Sequence, residues 1–115
     1  MLTVDALKDY GANTQEGLGR CFNNEAFYLR LVGMGLADKN FDALRSALDA
    51  GDAKAAFEAA HALKGSVGNL SLTPIYEPVS ELTERLRGKS EIGNDEAALL
   101  NKVMSALDAV RKLAE

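Results

Sequence analysis

The chain has 115 residues, enough for one hydrophobic core and too few for a two-lobed enzyme, a complete dinucleotide-binding dehydrogenase or an eight-stranded α/β barrel. Hydrophobic residues make up 47% and charged residues 26%, an ordinary globular balance that excludes disorder. A net charge of −4 excludes a general binder of phosphate backbones, and a single cysteine excludes an internal disulfide.

In chain order, Thr3 caps a short helix over 3–9 that Gly11 closes, and Asn13 caps a second over 13–20 with Glu16 three residues later. A third helix over 24–37 carries Phe27, Leu31 and Met34, with Tyr28 and Val32 widening the stripe. Asp38-Lys39-Asn40 either breaks or bends it before Phe41, Leu44 and Leu48 line the next segment, which Gly51-Asp52 ends.

The helix from about 52 to 70 buries a stripe of Ala56, Ala60, Leu63, Val67 and Leu70. Lys54, Glu58, His61, Lys64, Gly65 and Gly68 fall on a different face. The next helix begins at Thr73-Pro74, with Thr73 as cap and Pro74 in first position. Pro78 predicts a bend or a delayed start, because proline leaves the fourth carbonyl back without a donor. Ile75, Val79, Leu82 and Leu86 form this helix's apolar face, and Gly88 stops it. Asn94 caps a last helix striped by Leu100, Val103, Leu107 and Val110. The pattern predicts an all-α fold: an antiparallel four-helix bundle of helices longer than three turns, with short N-terminal helices over one end. Residues 1–115 read as one domain.

No secretory leader, membrane span, nucleotide-binding glycine loop or His/Cys zinc pattern is present, so the chain reads as cytoplasmic, without a metal or an ATP site of its own. Arg85, Arg87 and Lys89 read as a solvated helix end rather than a nucleic-acid patch. Cys21 reads as a small buried hydrophobe; Tyr10, Tyr28 and Tyr76 read as core or boundary packing. Phe57 is either core or part of a docking surface, with core preferred.

The only histidine, His61, lies about 100° around the helix from Ala60, at or beyond the edge of the buried stripe. It reads either as an ordinary boundary residue or as a nucleophile, since neutral imidazole is reactive near pH 7. Lys64, one turn on, can neutralise a phosphoryl group on the ring. Gly65 and Gly68 strip side chains from the same face at about 1 kcal/mol each relative to alanine. They serve either a partner's close approach or a helix crossing.

The run Ala60-His61-Ala62-Leu63-Lys64-Gly65-Ser66-Val67-Gly68-Asn69-Leu70 closely resembles the signature of histidine-containing phosphotransfer domains, A-H-x-L-K-G-x-x-x-x-[LIV]. Residues 48–70 look typical of that family, 24–48 match more weakly, and Leu82-Thr83-Glu84 resembles the following helix. The resemblance implies a phosphorelay carrier in two-component signalling. His61 would accept a phosphoryl group from a receiver phosphoaspartate and pass it to another receiver aspartate. Lys64 would hold the phosphoryl oxygens, and Gly65 and Gly68 would leave room for the partner. Lys54, Glu58, Ser66 and Asn69 would contact that partner. Implied partners are response-regulator receiver domains, with Mg²⁺ on the receiver, and a hybrid histidine kinase as a possible source; a monomer suffices. A free-standing relay is expected, a domain cut from a longer chain being the other reading. The alternative function is a non-catalytic helical interaction module, against which His61 and Lys64 together argue. Two positions depart from the family pattern. Ser71 stands where members often have glycine, which predicts a local backbone adjustment, and Pro78 is less usual.

Overall fold

Short polar side chains open most of the helices. In the computed structural model, which describes residues 1–115, Thr3 Oγ1 accepts from the Ala6 N–H and begins α1 (Val4–Tyr10). Asn13, Asn24 and Asp52 cap α2 (Thr14–Arg20), α3 (Glu25–Leu36) and α5 (Ala53–Asn69) in the same way. Each satisfies one of the orphan N–H groups of a first turn, which stabilises a helix by about 1 kcal/mol. Between α3 and α4 (Asn40–Asp49) the chain breaks rather than bends, and Asp38 Oδ1 accepts from the Asn40 N–H at 2.8 Å. Gly51, at φ 72°, makes the left-handed turn into α5.

Two caps differ from expectation. Thr73 is the first residue of α6 (Thr73–Leu86) rather than its cap; Leu72 takes that place, and Pro74 falls in the second position. The Leu72 carbonyl accepts from both Ile75 and Tyr76 and holds the first turn. Asn94 is likewise the first residue of α7 (Asn94–Leu113), with Gly93 as its cap. Glu96 reaches back and accepts from the Gly93 N–H at 3.3 Å, so an acidic side chain of the first turn holds the entry to α7. Pro78 neither delays nor interrupts α6, which runs through it. Only the Pro74 carbonyl loses its helical donor there, and the flanking turns carry the helix across.

The fold is all-α, with α4–α7 packed as the four-helix core and the N-terminal helices α1–α3 around it. The expected bundle of four helices longer than three turns is corrected in one respect: α4 has only 10 residues, and the longer α3 stands outside the core set. Short connections make successive core helices antiparallel, with α5 lying between α4 and α6. One apolar core of 26 buried residues runs through the molecule, including the whole predicted α5 stripe of Ala56, Ala60, Leu63, Val67 and Leu70. Tyr28 is fully buried, Tyr10 and Tyr76 are partly buried, and Cys21 is buried as a free thiol.

The N-terminal helices are tied down by polar bonds. Tyr10 Oη donates to the Ala106 carbonyl of α7, and Tyr28 Oη donates to the Leu70 carbonyl at the end of α5, both at 2.8 Å. Burial pushes both phenols above their ordinary range. Gly17 lets α2 cross the Tyr28 ring, which a Cβ there would meet at 2.5 Å. Arg111, in the last turn of α7, donates twice to the Leu36 carbonyl at the end of α3 and lies over the Phe41 ring. No helix is long and apolar enough to cross a membrane.

Candidate functional site

His61 sits in the middle of α5 with its side chain exposed, because the buried stripe takes the opposite face of the helix. The Phe57 ring, one turn earlier, stacks on the imidazole with centroids 5.7 Å apart. Phe57 is itself half-buried at the edge of the core rather than inside it. Arg87, just past the end of α6, places its guanidinium 5.1 Å from the Phe57 centroid, a cation–π contact.

The same Arg87 donates to Glu84 at 2.9 Å. That bond holds the Glu84 carboxyl below the usual range, with Arg87's charge and the nearby Lys64 and His61 pulling in the same direction. An acid on α6 thus stands in the field of the histidine and lysine of α5. Arg85 and Lys89 are also paired, with Glu81 and Asp95 and with Glu96 respectively, so the basic cluster at the end of α6 is spent on local ion pairs.

From His61 an open groove runs toward the C-terminus of α5, floored by Lys64, Gly65, Gly68 and Asn69. Tyr76 and Thr73 of α6 form one wall, and Glu16 and Arg20 of α2 form the other. The two glycines differ physically. A Cβ on Gly65 would meet nothing within 4 Å, so no packing inside this chain explains the glycine there. A Cβ on Gly68 would press on the Tyr76 ring at 3.0 Å, so the absent side chain lets that ring lie against α5.

Five of the eight residues singled out from the sequence therefore line the groove: His61, Lys64, Gly65, Gly68 and Asn69. Lys54 and Glu58 lie exposed on the same helix, toward its N-terminus and outside the groove. Ser66 is half-buried and stands apart, since five residues turn an α-helix roughly 140° from His61.

Glu16, Arg20 and Tyr76 escaped the sequence reading as groove residues. Arg20 Nη1 donates to the Gly68 carbonyl at 2.8 Å, the Asn69 carbonyl at 3.2 Å and Ser71 Oγ at 3.0 Å. It thereby adds a donor to carbonyls at the end of α5, where Gly68 also accepts from the Ser71 N–H and the helix dipole favours a cation. Its Nη2 pairs with Glu16 at 3.2 Å. Glu16 in turn accepts from Ser71 Oγ at 2.8 Å.

Ser71 lies at φ 57°, the left-handed region that glycine enters freely, and it is buried. The backbone here keeps a conformation that glycine favours, and the serine is held in it by its side chain. No three His, Cys, Asp or Glu side chains converge as metal ligands.

Comparison with known proteins bears on this arrangement. The model of the Hpt domain matches residues 35–111, a span of 77 of the 115 residues that includes α4, α5 and α6 whole and most of α7. The chain belongs to the histidine-containing phosphotransfer, or Hpt, domain family, whose members serve in phosphorelays. Neither the curated proteins nor the solved structures return a match to this chain.

Proposed function

We propose that residues 1–115 act together as one Hpt domain that carries a phosphoryl group on His61 between two receiver domains. The observation that carries this reading is the exposed His61 with Lys64 one turn on and open space over Gly65, in a chain the Hpt family model spans from 35 to 111.

In the proposed step, the Nε2 lone pair of His61 attacks the phosphorus of a receiver's phosphoaspartate. The bond from phosphorus to the aspartate oxygen breaks, and the carboxylate leaves with the bonding pair. The imidazole keeps its proton on Nδ1, so the product is a phosphohistidine and a free aspartate. The reverse attack by a second receiver's carboxylate discharges it. Lys64 offers an ammonium to the phosphoryl oxygens, as a point charge suited to phosphate. Phosphoryl transfer is chiefly positioning and charge stabilisation, and this chain supplies the positioning. By the family resemblance, the receiver brings Mg²⁺, a lysine and an acidic pocket. One-to-one docking of this kind requires only a monomer.

The test is intact mass after incubation with phosphoramidate, then with phosphorylated receivers from the source genome, using His61→Gln as control. A gain of one phosphoryl mass on the wild type only, lost in acid and stable in base, is expected. Failure with phosphoramidate and every receiver, on a folded sample, would overturn the reading and leave a non-catalytic interaction module. Acid-labile phosphate retained by His61→Gln would move the acceptor elsewhere.

A further inference from the structure

The family match begins at residue 35, yet one wall of the groove leading to His61 comes from α2, at 14–20. Arg20 and Glu16 stand opposite Tyr76 there. A partner reaching His61 along this groove meets the α2 wall before or together with the histidine.

The wall is held firmly. Arg20 bonds two carbonyls at the end of α5, the Ser71 hydroxyl and Glu16, while Ser71 bonds Glu16 and accepts a buried left-handed backbone. The Ser71 carbonyl also accepts from the Asn13 N–H that precedes α2, at 2.9 Å. Apart from the Arg20–Glu16 pair inside α2, five of these bonds fix a helix of 7 residues against the end of α5 and Ser71 just beyond it. Even so, the Arg20 side chain remains 47% exposed, within a partner's reach.

Charge gives the partner's chemistry. Lys64 and Arg20 put two cations in the groove against the single acid Glu16, in a chain of net charge −4. The groove lining thus carries one net positive charge on an acidic molecule, with Glu84 beside Lys64 outside the lining. Electrostatic complementarity of this kind acts on partner choice and encounter more than on chemistry.

We infer that α2 is a selectivity lip on the phosphoacceptor groove, and that Arg20 selects receiver domains that present a carboxylate at the matching edge. This rests on the phosphorelay reading above. Arg20 takes no part in the reaction at His61; it acts on which receiver docks and how tightly.

The experiment compares a small donor with a protein donor. Phosphoramidate needs no docking, whereas a phosphorylated receiver does. Wild type, Arg20→Gln and Arg20→Lys are labelled by phosphoramidate and by the fastest receiver found for the wild type, and all three are checked for helicity and cooperative melting. Arg20→Gln keeps a donor for the α5 carbonyls but loses the charge. Its KM for the receiver should rise about tenfold, the size of one charge-assisted contact, with kcat and phosphoramidate labelling unchanged. Arg20→Lys should recover much of the loss. The wild-type KM should also rise with salt more steeply than that of Arg20→Gln.

Equal losses with both donors, a fall in kcat at constant KM, or no change in KM would each overturn the lip. A wild type labelled by neither donor would instead overturn the phosphorelay reading itself, and the lip with it.

Discussion

The Phe57 and His61 rings lie nearly parallel, with 14° between their planes and 5.7 Å between their centroids. The stack leaves the ring edge of His61, where the nitrogens are, free for a partner, while the ring face is held. Phe57 is positioned from its other neighbours by the core edge and by the Arg87 guanidinium. Phe57→Leu keeps apolar bulk and removes the stack. An aromatic pair of this kind adds about 0.5–1.5 kcal/mol beyond its burial, so phosphoramidate labelling of His61 should slow by roughly two- to tenfold. An unchanged rate on a folded variant would show that the stack does not orient the imidazole.

Lys64 offers a second check on the chemistry. It is half-buried, and its ammonium stands close enough to Glu84 to act on that carboxyl. Lys64→Ala should leave the melting curve nearly unchanged and slow receiver-driven transfer by about tenfold or more, as for loss of one charge-assisted contact. Stopped-flow quench kinetics would decide it. A transfer rate equal to wild type would remove Lys64 from the site.

Gly65 and Gly68 separate stability from docking. Nothing in this chain opposes a methyl group on Gly65, so Gly65→Ala should raise stability by about 0.5–1 kcal/mol through backbone entropy alone. The same methyl stands where a receiver must approach, so transfer should slow while phosphoramidate labelling is spared. Gly68→Ala gains the same entropy but must push the Tyr76 ring from 3.0 Å, and its net gain should be smaller. Thermal melts on the two variants, read beside transfer rates, test both statements. A stabilised Gly65→Ala with full receiver activity would leave that glycine unexplained.

Ser71 sets backbone strain against side-chain bonds. A left-handed non-glycine residue costs about 1–2 kcal/mol, whereas hydrogen bonds to charged groups contribute about 1.5–3 kcal/mol each. Ser71 has one with Glu16 and one with Arg20, so the bonds outweigh the strain. Ser71→Gly should therefore destabilise the protein despite relieving φ, and Ser71→Ala should destabilise it further, by about 1 kcal/mol, because alanine keeps the strain. Chemical denaturation of the pair measures the difference. A Ser71→Gly variant more stable than wild type would show that the network is worth less than the turn it holds.

Glu96 should govern part of the acid sensitivity. Burial alone would raise its carboxyl, but bonds from the Gly93 N–H and from Lys89, together with the lysine's charge, outweigh burial and hold it below the ordinary 4.5. A carboxyl depressed in the folded state contributes stability above its unfolded value, and that contribution is lost as pH falls through the folded one. Wild type should weaken as pH drops below about 4.5, the unfolded value, and Glu96→Gln should show a shallower decline over the same window. Near neutral pH, Glu96→Ala should cost about 1 kcal/mol through the lost acceptor at the start of α7. Parallel acid titrations of stability that coincide for wild type and Glu96→Gln would sink the assignment.

Periodicity made much of this molecule readable in advance. The spacing of Ala56, Ala60, Leu63, Val67 and Leu70 identifies the buried face of α5, and all five are buried. That spacing puts His61 at or beyond the edge of the buried face, and the residue is exposed. Thr73 and Asn94 fail as caps by one residue, because Leu72 carbonyl bonds and the reach of Glu96 set the starts of α6 and α7 instead. Pro78 does not delay the start of α6, because the one lost bond leaves the turns on either side intact. The α2 wall was not readable at all. Arg20 meets Gly68, Asn69 and Ser71 across 48 to 51 residues of chain, and no local spacing encodes a contact that distant.

The bond from the buried Tyr28 hydroxyl to the Leu70 carbonyl bears on how this domain can be moved between proteins. Tyr28 belongs to the stretch before the Hpt match, and it closes over the end of the histidine helix together with Gly35, against which Leu70 packs. A graft cut at residue 35 would remove Tyr28 and leave the Leu70 carbonyl without the phenol. Chimaeras that borrow this phosphoacceptor helix should keep residues 1–34 as part of the transplanted unit, although the family match begins only at residue 35.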